Sequence, residues 1–447
     1  MFPDKQLFAE HLSGMVRCPT ISCEDESKMD FKPFQDLQQY LEETYPLVHQ
    51  KFQKEVIGPA ALLYTWKCGR PNAKPPVLLA AHQDVVPPGD IDAWRHPPFA
   101  GIIEGGFVWG RGSQDCKSSI MGQMEAFEAL IAEGFTPDFD CYLGYSYNEE
   151  VSTVCKTPGA KRLADTLKDR GVQLGLVLDE GGNIVPGRTV GVDGLVANVN
   201  IAEKGYADIR LHKIGADGHA SAPGKGNLMV DLARAVLRIN ENPFPYHVVP
   251  EIATHYRFLA PHMKANQDIC GNVEERLVDM IRLLEEQGDY FSLAKFRTTV
   301  AMTMCQASER PNILPREGSV TLNCRPLPGD SISGIVKTLQ KLVVEDGVQV
   351  ELLGGRDPSQ SSSIEDGVFQ TLCRVIKGLH PQAKVIPGIC LGGTDAYYYH
   401  ALCKHVYRFS GALQDPRNGP AHGVNESISI ETIDAIPTFV YKMLKNY

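Results

Sequence analysis

The sequence predicts an α/β protein: a discontinuous domain, residues 1–193 and 356–447, interrupted by an inserted α+β domain, residues 194–355. Three observations predict it. Short apolar runs alternate with helical spacing up to about residue 180, the pattern of an α/β sheet. The register changes near 190 into longer strand-like runs. Beyond the tract Gly354-Gly355-Arg356-Asp357-Pro358-Ser359-Gln360-Ser361-Ser362-Ser363, which reads as a linker, α/β alternation resumes.

The elements follow in order. Phe34, Leu37 and Leu41 mark a helix, and 56–66 reads as a strand. Val77-Leu78-Leu79-Ala80-Ala81 is a buried strand followed by a Pro-rich loop and a glycine-dense hairpin, 105–112. Ile120, Met124, Phe127, Leu130 and Ile131 carry a helix. Strand 141–147, helix 160–169 and strand 174–178 complete the first part. In the insert, 195–211 is strand-like and 228–239 is a helix. A further helix around 273–284 lies in an acidic stretch that reads as a solvated face. Strands 320–324 and 348–353 flank a helix at 331–344.

At 447 residues the chain is long enough for two substantial cores. A net charge of −10 disfavours nucleic acid and anionic membrane as partners, because both need a basic surface. No run approaches the ~18 consecutive apolar residues of a membrane span. The opening Met-Phe-Pro-Asp-Lys-Gln has no apolar segment, so no secretory leader is expected. The twelve cysteines form no CxxC pair and are expected as reduced, packing thiols of a cytoplasmic protein. Asn425-Glu426-Ser427 matches a glycosylation sequon by coincidence on this reading. The glycines of 105–112 do not make a dinucleotide loop, since no GxGxxG follows a strand and opens a helix.

Two strand ends concentrate the chemistry. His82-Gln83-Asp84 points two side chains to one face, because strand side chains repeat every two residues. Asn148-Glu149-Glu150 offers one carboxylate as a ligand and one as a base. Strand and loop ends supply more candidates: Asp115, Asp179, Glu180 and His422. Two imidazoles with several carboxylates suit Zn²⁺ or a similar divalent ion. With one carboxylate shared, such a set would hold two ions roughly 3.5–4 Å apart.

Six tracts, in order, resemble the M20 family of zinc peptidases and amidohydrolases. They are His82-Gln83-Asp84, Gly110-Arg111-Gly112-Ser113-Gln114-Asp115, Asn148-Glu149-Glu150, Asp179-Glu180-Gly181-Gly182, Gly218-His219-Ala220-Ser221 and His422-Gly423-Val424-Asn425-Glu426. The aminoacylase and Gly-X carboxypeptidase branch is the most similar. The resemblance implies a mixed-sheet catalytic domain with an inserted lid through which relatives dimerise. It also implies two Zn²⁺ per subunit, with Co²⁺ or Mn²⁺ as alternatives. His82 and His422 would bind different ions, Asp115 would bridge them, and Glu150 would complete one shell. Asp179 or Glu180 would complete the other, with Asp179 preferred. Asp84 would orient His82 and Glu149 would be the general base. Cys116, where many relatives have an acid, would pack or add a soft ligand.

The resemblance also implies that His219 stabilises the oxyanion, reaching a neighbouring subunit's site in dimeric relatives. Arg325 would bind the substrate's carboxylate, Asn312 would hydrogen-bond beside it, and Gly393 would let the backbone approach the ligand. The expected reaction is hydrolysis of an amide next to a free carboxylate, in an N-acyl amino acid or small dipeptide. The alternatives are a dipeptidase or aminopeptidase, for which no amine-binding group is evident, and a non-catalytic relative.

Overall fold

The computed structural model describes residues 4–224 and 226–447; Met1–Pro3, the start of the stretch expected to lack a leader, lie outside the described residues. A nine-stranded mixed sheet forms the frame. Its order runs Gln53–Ile57, Ala61–Trp66, Phe139–Ser146, Lys74–His82, Leu176–Asp179, Val406–Arg408, Leu195–Glu203, Ala383–Cys390, with Ile184–Pro186 paired to Leu195–Glu203. Lys74–His82, Phe139–Ser146, Leu176–Asp179 and Val406–Arg408 run parallel, so their C-terminal ends meet on one edge.

The alternation of side chains explains why these strands read as continuous apolar runs. Leu79, Ala81, Leu143 and Tyr145 face one core, with helices Lys117–Ala132 and Ala435–Asn446. Leu78, Ala80, Tyr142 and Val177 face the other, with Leu163 and Leu167 of helix Gly159–Asp169. Both faces are buried, as parallel strands require.

The lid is a four-stranded antiparallel sheet, Thr299–Gln306, Glu317–Arg325, Tyr206–Ile214 and Gln349–Arg356. Helices Leu228–Glu241 and Ile332–Val343 cover it through Leu232, Ala235, Ile335 and Leu339. Ser331 caps the second, its side chain accepting from the Gly334 N–H.

Three expectations change. The boundary drawn at 193/194 falls ahead of Leu195–Glu203, which pairs with Ala383–Cys390 in the large sheet; the chain crosses to the lid at Lys204-Gly205. The segment 250–293 also packs on the large sheet rather than the lid: Ile252, Tyr256, Leu259, Met280 and Leu284 cluster with Val196, Ile386 and Ile389. Its helix Leu277–Gln287 therefore buries Met280, Ile281 and Leu284 beneath its acidic face. The serine tract is pinned rather than loose. The Ser359 hydroxyl accepts from the Glu203 N–H, and the Ser362 hydroxyl donates to the Val406 carbonyl. Among the described residues no helix is long and apolar enough to cross a membrane.

Candidate metal centre

The parallel strand ends deliver the expected side chains to one place. His82 closes its strand with 1% exposure, and Asp84 is fully buried two residues on. His82 Nδ1 lies 3.0 Å from the Asp84 carbonyl and 3.4 Å from its Oδ1, which fixes the ring and frees Nε2 for the site. The same Asp84 carboxylate accepts the N–H groups of Glu149 and Glu150 at 3.0 and 3.1 Å and the Ser22 hydroxyl at 2.6 Å. One buried carboxylate thus sets both a histidine and the acidic turn.

Asp115 lies between two histidines. Its Oδ1 is 2.9 Å from His82 Nε2 and its Oδ2 is 3.1 Å from His422 Nε2. Glu180 Oε1 reaches His82 Nε2 at 3.2 Å, and Glu150 Oε2 reaches His422 Nε2 at 3.0 Å. The result is two donor groups sharing Asp115: His82, Asp115, Cys116 and Glu180, and Asp115, Glu150 and His422. Around a tetrahedral Zn²⁺, with bonds near 2.0–2.1 Å, donors stand about 3.3 Å apart, close to the separations found here.

The electrostatics fit the same group. Burial pushes the carboxyls of Glu149, Glu150 and Asp179 upward. Burial and the neighbouring Asp115 charge push Glu180 up to about 8, and burial with Asp179 pushes Asp395 to about 7. His422, bonded to Asp115 and Glu150, rises to about 10. So many buried acids favour a compact positive charge, which a bound divalent ion would supply.

Asp179 does not join either group, contrary to the preference stated above. Its Oδ2 accepts the Ala396 N–H at 2.6 Å and its Oδ1 the Glu180 N–H at 2.9 Å, so it faces away while its neighbour faces in. Cys116 lies in the group, yet its sulfur also receives the His82 N–H at 3.1 Å.

The lid residues stand apart. His219 is exposed on a two-residue strand paired with Ile313, its Nδ1 2.7 Å from the Ser221 hydroxyl. Asn312, also exposed, accepts the Ala220 N–H through its carbonyl. The Arg325 guanidinium lies 4.5 Å over the Tyr206 ring, with Nε 3.0 Å from Asn323 Oδ1. Gly393 packs so tightly that a Cβ there would run into the Arg356 guanidinium.

Three residues near the site carry no role in the sequence reading. Glu426, fully buried, pairs with Arg111 at 2.6 Å and accepts the N–H groups of Gly112, Gln114 and Asp115. It shapes the loop that presents Asp115, where Gly112 at φ +85° passes a Val85 methyl too closely for a side chain. Arg356 pairs with Glu203 at 3.2 Å and lies over the Tyr397 ring at 4.7 Å, while its Nε and Nη1 have no hydrogen-bond partner among the described residues. Asp395 bonds to the Ser146 hydroxyl. Glu426 sits inside a quoted tract and Asp395 two residues after Gly393, but sequence does not tell a ligand from the acid that positions it.

Comparison with known proteins agrees with this geometry. The profile of peptidase family M20/M25/M40 matches residues 78–446. An N-fatty-acyl-amino acid synthase/hydrolase of Danio rerio is 32% identical, over 99% of this chain and 86% of its own length. Carboxypeptidase S of Saccharomyces cerevisiae is 29% identical, over 98% of this chain and 83% of its own. The fold is that of an M20 family metallo-carboxypeptidase from Sulfolobus solfataricus, with a TM-score of 0.72, 18% identity, and coverage of 100% and 99% of the two chains.

Proposed function

This chain belongs to peptidase family M20/M25/M40 and is a metallo-peptidase or amidohydrolase, and from that premise we propose a two-metal hydrolase that cleaves an amide bond next to a free carboxylate. The substrate class is an N-acyl amino acid or a small dipeptide. The observation that carries the two-metal part is Asp115, whose two oxygens face His82 and His422 at 2.9 and 3.1 Å. The substrate class is supported by relatives named as acting on N-fatty-acyl amino acids or as carboxypeptidases.

His82, Asp115 and Glu180 would hold one Zn²⁺, and Asp115, Glu150 and His422 the other. Bound there, the pair supplies Lewis acidity toward the amide carbonyl and toward the attacking water. Glu149 is the base. Its carboxyl is lifted by burial, so it takes a proton from that water and gives it to the leaving nitrogen. Asp84 keeps Glu149 and His82 in place. His219 supplies a hydrogen bond to the oxyanion, and Arg325 and Asn312 receive the substrate's carboxylate, with Gly393 offering its backbone beside the Arg356 guanidinium.

Because His219 is exposed, it reaches a site when the lid meets a second subunit. The edge strand Thr299–Gln306, with most side chains exposed, supports dimerisation there. Twelve free cysteines support a reducing, cytoplasmic setting.

The experiment is metal analysis paired with hydrolysis of N-acyl amino acids and dipeptides, with and without chelator. Two zinc per chain and chelator-sensitive hydrolysis are expected. Fewer than about one zinc per gently purified chain would remove the two-metal reading, since that chemistry needs both ions.

A further inference from the structure

Residues 18–26 touch both strand ends that carry the candidate ligands, and they lie ahead of residue 78, where the match to the family profile begins. Backbone bonds hold this segment to the tract after His82. The Val85 N–H donates to the Thr20 carbonyl at 3.0 Å and the Ser22 N–H to the Val85 carbonyl at 3.4 Å, while Ile21 bridges Val85 in parallel. Thr20 and Ser22 turn inward, 0% and 5% exposed, on either side of a partly exposed Ile21. The Thr20 hydroxyl donates to the Gln83 carbonyl at 2.6 Å. At the far end Glu26 accepts the Tyr147 hydroxyl and meets Arg162 at 3.3 Å, and Tyr147 immediately precedes Asn148-Glu149-Glu150.

The Ser22 hydroxyl reaches Asp84. Its 2.6 Å separation from Asp84 Oδ2 is the length of a charge-assisted O–H···O⁻ bond. Three nitrogens face the same carboxylate: the Glu149 N–H on Oδ1, the Glu150 N–H on Oδ2, and His82 Nδ1 3.4 Å from Oδ1. A carboxylate only accepts, so the hydroxyl is the donor. Asp84 is fully buried, and bulk water cannot stand in for a donor that is lost. Without Ser22, Oδ2 keeps the Glu150 N–H alone, and the carboxylate is free to rotate off the two N–H groups that set the acidic turn.

We infer that Ser22 is a positioning residue of the metal centre: through Asp84 it fixes the His82 ring and the turn that presents Glu149 and Glu150. The inference rests on the two-metal hydrolase reading above. Ser22 itself touches none of the candidate ligand side chains, so its influence on metal and base passes through one buried carboxylate. The neighbouring Thr20 hydroxyl, buried in the same segment and bonded to a backbone carbonyl instead, has no such route. That difference between two hydroxyls separates positioning from mere support of the fold.

The test compares Ser22→Ala, Ser22→Thr and Thr20→Val with wild type, by steady-state kinetics and by zinc competition with a chromogenic chelator. Ser22→Ala is expected to lower kcat and zinc affinity each about tenfold, with KM unchanged. Ser22→Thr keeps the hydroxyl and is expected to recover most of both. Thr20→Val is expected to keep wild-type kcat and affinity even where its melting temperature falls. Wild-type kcat and affinity in Ser22→Ala, or equal losses in Thr20→Val, overturn the inference. Should Ser22→Ala fail to fold, Ser22→Cys, which keeps the volume with a weaker donor, is judged by the same two readouts. If wild type binds zinc but hydrolyses no amide, the affinity comparison still decides Ser22, and the hydrolase reading alone fails. Wild type that binds no zinc removes both.

Discussion

The large sheet and the lid of this molecule hold their polar groups in opposite ways. At the end of the large sheet, His82 and Asp84 are buried and cross-braced, and every donor there has a neighbour at hydrogen-bond distance. On the lid, His219 and Asn312 are exposed, His219 bonded to the Ser221 hydroxyl and the Asn312 carbonyl to the Ala220 N–H, and Arg325 stacks on a lid tyrosine. Chemistry that must place two charges within a fraction of an ångström is assembled when the core folds. On the proposed function, the recognition groups of the lid would be brought in by substrate or by a second subunit.

The largest expected effect tests the buried side. Glu149→Gln keeps the size of the base and removes its proton capacity, so kcat falls about 10²–10⁴-fold with metal content unchanged; steady-state kinetics and metal analysis check both. On the lid, His219→Ala lowers kcat by about 10²–10³-fold and leaves metal content alone. An equal loss of zinc in that variant would erase the contrast between the regions.

Next comes the choice between neighbours on one strand end. Glu180→Gln weakens one zinc by about 10–100-fold and loses it on dialysis, whereas Asp179→Asn retains two ions. The reverse result would return the ligand role to Asp179. Asp84→Asn weakens metal binding over the same range and slows turnover, because it loosens His82 and the Glu149 turn together; competition with a chromogenic chelator reads the affinity.

The smallest effect lies outside both regions. Asp366 caps helix Gly367–Leu379, accepting the N–H groups of Val368 and Phe369, and meets His405 at 2.5 Å. Burial opposes its charge, but these partners hold its pKa below the ordinary value. A depressed pKa stabilises the fold above the unfolded value and ceases to do so as pH falls through the folded one. Asp366→Ala therefore costs about 1 kcal/mol near neutrality, and the difference shrinks below about pH 4. Urea melts at pH 7 and pH 3 read it, with turnover unchanged.

Much of the buried side was legible because it follows strand periodicity. An apolar run ending in His-x-Asp announces a site, and the runs before His82 and Asn148 are buried strands. What decided Asp179 against Glu180 was not local: the Ala396 N–H, 217 residues away, captures Asp179. The domain boundary was hidden for a similar reason. Leu195–Glu203 and Tyr206–Ile214 both read as strand and are separated by two residues, so the sequence shows one run where the fold makes two strands in different sheets. Glu426 and Arg356 were missed because the value of a buried ion pair depends on partners that only folding assembles.

Glu426 has a consequence in time. It clamps the Asp115 loop from 311 residues downstream, and His422 lies 272 residues beyond Glu150. At ribosomal rates of ~5–20 residues per second, the gap lasts on the order of tens of seconds. Throughout it a growing chain already displays His82, Asp115 and Glu150 without the residues that finish them. On the proposed ligand set, a nascent polypeptide would lack a complete metal centre until that late segment has emerged and folded back.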